Sequence, residues 1–141
     1  MTRRKTDAAC AELTAFEAGD VCPEQFDHEA HVRVAWLMLG ETDLDDCLQR
    51  YPLALKRITE RLGVPEKFHA TVTGFLLLLI AERRAEAPDA DWPSFRSTNP
   101  DLLTAAGDLL RHHYSPDRLG SDLARRQFLP PDLGRTVAAT G

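Results

Sequence analysis

Lys67-Phe-His-Ala-Thr-Val-Thr-Gly-Phe-Leu-Leu-Leu-Leu-Ile-Ala-Glu-Arg-Arg-Ala-Glu86 is apolar on nearly every side of a helical wheel between Thr73 and Ala81. A helix at a protein surface carries one apolar stripe, whereas a helix that is apolar all round has to be enclosed by others. Pro65 and Glu66 read as its start and Pro88 as its stop. The expectation is a helix from Lys67 to about Glu86 at the centre of an all-α bundle. His69, Val72, Thr73, Leu76 and Ile80 share one stripe on it, which puts His69 at the head of a buried face. The run from Ala70 to Ala81 is too short for the ~20 apolar residues that cross a bilayer, so no membrane is expected as a partner.

Working outward, helical periodicity continues almost throughout, and no stretch alternates polar and apolar residues as a strand would. Asp7 is placed to cap a first helix from Ala8 to Ala18, ended by Gly19, and Asp20 to Gln25 reads as a loop. A second helix is expected from about Asp27 to Leu39, stopping at Gly40, with His28, His31, Val32, Ala35 and Leu39 on one stripe. Thr42 and Asp45 resemble a capping pair for a third helix with Leu44, Leu48, Tyr51, Leu55, Ile58 and Leu62 on its apolar face; Pro52 predicts a bend or break near Tyr51. Beyond the central helix, Asp89 to Thr98 reads as the longest loop. Asn99-Pro100 then opens a helix running to Tyr114, Ser115-Pro116 caps a short one, and Ser121 is a further cap. With 141 residues, the chain is expected to form a single helical domain over 1–141, frayed at 1–6 and from about 132 onward.

The formal charge of −5 is spread over both signs without a long basic block, which argues against nucleic acid as a partner. Cys10, Cys22 and Cys47 are odd in number and lack C-x-x-C spacing, so free thiols are expected. The mixed segment through Gly19 lacks the apolar core of an export signal, and with the free thiols it predicts a cytoplasmic protein.

Chemistry is concentrated in the histidines. His28 and His31 lie one turn apart on the buried face of their helix, and His69 could meet them if that helix packs beside the central one. Imidazole is a poor core filler but a good metal ligand and proton carrier. Three neutral imidazoles from two rigid elements could hold a divalent transition metal, and zinc, iron, copper and nickel all accept such a set. A histidine hydrogen-bonded within a core is nevertheless commoner than a ligand. His113 and Tyr114 are candidate catalytic groups at the rim, and His112 needs only the dipole of its helix end to explain it. Trp36, Trp92, Phe68 and Phe95 are candidate pocket walls, with core packing the commoner role for such residues, and Arg33, Arg57 and Lys67 lie near enough in sequence to receive an anionic group, though solvated helix faces explain them equally well.

Phe26-x-His28-x-x-His31-Val32-Arg33-x-Ala35-Trp36, Lys67-Phe68-His69-x-Thr71-x-Thr73, Asn99-Pro-Asp-Leu-Leu103 and Tyr114-Ser-Pro together resemble a group of small, all-helical bacterial proteins of unassigned function. The resemblance covers about residues 14 to 131. It implies that the three histidines, Thr73 and Tyr114 form one pattern, with His113 and Phe68 standing where tyrosines are expected. The primary expectation is a metal-dependent enzyme acting on a small molecule. The alternative is a non-catalytic module that binds a small ligand or partner through hydrogen-bonded pocket histidines. A bundle that only dimerises, forming a homodimer with its histidines satisfied internally, is the third.

Overall fold

The computed structural model describes the chain from Thr2 to Leu133, and its side chains from Cys10 onward. Among these residues all regular structure is helical. The tail expected to fray from 132 lies mostly outside this range.

Helix α1 (Thr2–Ala18) begins before the expected Ala8, so Asp7 lies inside it and not at its cap. It ends where Gly19 adopts φ +79°, a left-handed conformation that side chains with a Cβ resist. Helix α2 (His28–Glu41) starts on Asp27, whose extended backbone turns its carboxylate onto the N–H of Ala30 at 2.9 Å. It runs past Gly40, and the guanidinium of Arg84 packs where a Cβ on that glycine would stand. The cap of α3 (Leu44–Arg61) is Asp43 and not Thr42. Helix α3 runs without a break through Pro52, carrying Cys47, Tyr51, Ala54, Leu55 and Ile58 into the core.

The central stretch departs from expectation at its start. Pro65–Lys67 form a single 3-10 turn, Phe68 is extended, and the α-helix proper, α4, runs from Ala70 to Glu86. His69 is therefore its N-cap, outside the helix. Helix α4 packs against α2 and α3, and also touches two later helices, α7 (Ala106–His113) and α9 (Asp122–Arg126). The expected loop before Asn99 holds α5 (Trp92–Thr98), capped by the Asp91 carboxylate on Ser94 N–H. The one helix expected from Asn99 to Tyr114 is two, α6 (Pro100–Thr104) and α7, parted at Ala105. Ser115 and Ser121 cap α8 (Pro116–Leu119) and α9 as their sequence contexts predict.

The main core gathers α1 through α6 around Phe16, Met38, Leu77, Ile80 and Leu102, each 2 % exposed or less. Four arginines tie α1 down: Arg33 pairs with Glu12 at 2.7 Å, Arg50 with Glu17 at 2.5 Å, Arg57 donates to the Glu17 carbonyl at 2.6 Å, and Arg61 to the Ala18 carbonyl at 3.0 Å. At the other end, Phe75 and Tyr114 meet edge to face. The ring of Phe128 lies on Gly74, where a Cβ would come within 2.5 Å of it. Trp36, Trp92 and Phe95 form an aromatic corner, with the two indoles 5.6 Å apart and Arg84 over Trp36. No helix of the described residues is long and apolar enough to cross a membrane.

Candidate functional site

A cavity of about 300 Å³ opens between α2, α3 and the start of α4. Its wall is the stripe foreseen on α4, His69, Val72, Thr73, Leu76 and Ile80, facing His28, His31 and Val32 from α2. Tyr51, Leu55 and Thr59 of α3 close one side, and Phe26, Asp27, Lys67 and Phe68 complete it. The three histidines expected to converge do line one space. Their ring nitrogens, however, are committed very differently.

His31 is held through one ring nitrogen and one ring face. Its Nδ1 lies 2.7 Å from the carbonyl oxygen of Asp27. A carbonyl only accepts, so Nδ1 carries the proton and Nε2 of the neutral ring carries a lone pair. The ring packs against Phe26, tilted, with centroids 4.1 Å apart, and the backbone carbonyl of His31 accepts from the Tyr51 hydroxyl at 3.0 Å. Burial holds the imidazole below its ordinary value of 6.5, more than the Asp27 carbonyl raises it, and the neighbouring His28 pushes the same way as burial. Near neutral pH this is an uncharged imidazole in a fixed orientation, with one nitrogen uncommitted.

His28 donates from Nε2 to the Leu102 carbonyl at 2.8 Å, fastening α2 to α6 and leaving Nδ1 as an acceptor. His69 has nothing left over. Its Nδ1 accepts from the Val72 N–H at 3.2 Å, capping α4, and its Nε2 donates to the Leu119 carbonyl at 2.8 Å. Binding a metal through either nitrogen would forfeit the cap or the strut to α8. Among the described residues no group of three His, Cys, Asp or Glu side chains is placed to hold a metal ion. The set of His28, His31 and His69 as three ligands for zinc, iron, copper or nickel therefore does not fit these donors. Asp27 is engaged as a cap, and Glu29 faces away to pair with Arg96 at 3.0 Å.

The two expected rim groups lie elsewhere. His113 packs against Phe75 with tilted rings 4.9 Å apart and donates from Nδ1 to the Leu109 carbonyl at 2.9 Å. Tyr114 is 1 % exposed, donates to the Leu129 carbonyl at 2.6 Å, and has its phenol pushed up to about 12 by burial. Both belong to the junction where the chain after α9 returns to α4. Arg33 and Arg57 hold α1, while Lys67 stands at the mouth of the cavity. Of the aromatic walls only Phe68 lines it; Trp36, Trp92 and Phe95 make the separate corner.

Sequence reading did not single out the polar roles of Thr71 and Tyr51. Thr71 is fully buried; its hydroxyl lies 2.8 Å from the Ala124 carbonyl and 3.0 Å from that of Gln127, which share one proton, and accepts from the Leu129 N–H at 3.1 Å. Its only sequence signal is a threonine on an enclosed helix, where a hydroxyl needs a partner. Thr73, one turn past His69, is 8 % exposed, and its hydroxyl has no hydrogen-bond partner among the described residues. Comparison with models of known protein families, with curated proteins and with solved structures returned no match to this chain.

Proposed function

We propose that this chain is a small-ligand-binding helical protein, its ligand seated in the cavity between α2, α3 and α4. The observation that carries this reading is the His31 imidazole. It is fixed by a backbone carbonyl and an aromatic ring, and it keeps one lone pair free toward a cavity that Phe26, Val32, Leu55, Phe68, Leu76 and Ile80 also line. Cavities of this size and make-up, apolar walls with a few oriented polar atoms, are the usual form of a small-molecule site. A polar atom in such a place normally finds a partner within the protein, as His69 does. One that is held in position without a partner is prepared for something that arrives.

An acid/base role for His31 rests on the same geometry, since a neutral imidazole anchored through Nδ1 can take a proton at Nε2. The neighbouring groups give it little to work with: His69 is saturated, Tyr51 is spent on the His31 carbonyl, and His28 turns a second acceptor to the cavity in place of a proton. Binding is therefore the reading the geometry supports best.

The test is a fragment screen on the ¹⁵N-labelled protein, followed by heteronuclear NMR. Amide shifts are expected to cluster at Phe26–Val32 and Phe68–Leu76, and Leu76→Trp, which fills the cavity, is expected to abolish them. Shifts that cluster elsewhere, or that persist in Leu76→Trp, would overturn the reading.

A further inference from the structure

We infer that the cavity selects uncharged, largely apolar molecules that carry a hydroxyl group; this rests on the ligand-binding reading above. The argument is an account of donors and acceptors. His31 Nε2 and His28 Nδ1 are both lone pairs, because the opposite nitrogen of each ring already donates to a carbonyl. The Tyr51 hydroxyl donates to the His31 carbonyl and the Thr59 hydroxyl to that of Lys56 at 2.9 Å, so neither proton is available to a guest. Thr73 alone among the enclosed hydroxyls is uncommitted, and a hydroxyl can both give and receive. The cavity thus needs a guest that donates.

Charge narrows the class. A carboxylate would enter a space whose free imidazole nitrogens are acceptors, with no cation inside to balance it. The nearest cation, Lys67, is exposed at the mouth, where water weakens its pull. An ammonium group would donate well, but its desolvation would have to be offset by an anion. The only carboxylate at the cavity is that of Asp27, which is exposed and already caps α2. Phe26, Val32, Leu55, Phe68, Leu76 and Ile80 surround whatever binds with apolar surface. An alcohol or phenol meets both demands: its O–H answers His31 Nε2, and its hydrocarbon body fills the rest.

A matched set of probes tests this: para-cresol, its O-methylated counterpart para-methylanisole, para-toluate and para-methylbenzylamine. The four share a ring and methyl group and differ in whether they donate and in charge. Isothermal titration is expected to give para-cresol about tenfold tighter binding than para-methylanisole, the worth of one buried hydrogen bond. Both charged probes should bind more weakly than para-cresol. In the unaltered chain the Nε2 resonance of His31 should shift with para-cresol and stay in place with para-methylanisole. His31→Leu should bring the two affinities together. Equal affinity of para-cresol and para-methylanisole, or preference for either charged probe, would overturn the hydroxyl selectivity and leave the cavity reading intact. Failure of all four to bind, or binding undiminished in Leu76→Trp, would overturn the cavity reading itself.

Discussion

The first turn of α4 and the first turn of α2 use the same residue type in opposite ways. At α4, His69 and Thr71 spend every side-chain polar atom on backbone, His69 Nδ1 on Val72 of its own helix and the others on the chain after α7, at Leu119, Ala124, Gln127 and Leu129. At α2, His28 and His31 each spend one nitrogen and keep the other. The first region is a clasp that brings the end of the described chain onto the core, with Tyr114 adding a bond to Leu129. The second is an opening. A histidine beside a cavity is thus either scaffold or contact according to where its protons are committed, and the difference is measurable.

The largest effect is expected in the clasp. Thr71→Val keeps the shape but strands the Leu129 N–H and a buried carbonyl, costing about 3 kcal/mol in urea unfolding. His69→Ala removes a helix cap and the strut to Leu119, for a loss of about 2 kcal/mol. His69→Asn, which can still cap, should recover roughly half of that. Equal losses in His69→Ala and His69→Asn would show that the cap contributes nothing. Tyr114→Phe deletes one hydrogen bond and should cost about 1 kcal/mol.

On the α2 side the signature is pH dependence. The unfolded imidazole of His31 takes up its proton near 6.5, while the folded one does so only at lower pH. The unfolded state therefore binds more protons below that point. Stability from this group is complete above pH 6.5 and declines as the pH falls toward the folded value. Urea melts of His31→Gln at several pH values should lack this part of the decline. The smallest effect expected is none: His69 has both ring nitrogens spent on the Val72 N–H and the Leu119 carbonyl, so a chelator should leave the melting temperature unchanged, and a fall on chelation would show the histidines holding a metal.

Much of this architecture is legible in the residues. The capping signals at Ser115 and Ser121 stand where their helices begin, α2 starts within one residue of the expected Asp27, and the α4 stripe from His69 to Ile80 is the cavity wall. The errors have local causes. Histidine is not among the strongly preferred capping residues, so His69 reads as part of a helix it precedes. Asn99 reads as a cap, but its Nδ2 donates to the Phe95 carbonyl and its Oδ1 accepts from Arg83, a tertiary commitment no local pattern reveals. Asp91 before Trp92-Pro93 is a sound helix start that a polar, proline-containing stretch concealed. The commitment of individual ring nitrogens lay beyond sequence altogether, because the partners of His28 and His69 are carbonyls 74 and 50 residues away.

The aromatic corner carries an optical consequence. The chain has two tryptophans, and both stand there, with their rings 5.6 Å apart. Intrinsic emission therefore reports on the junction of α2 with α5 and is blind to the clasp. Should a melt followed by emission lag behind one followed by circular dichroism, the two ends of this molecule come apart in sequence, the clasp first.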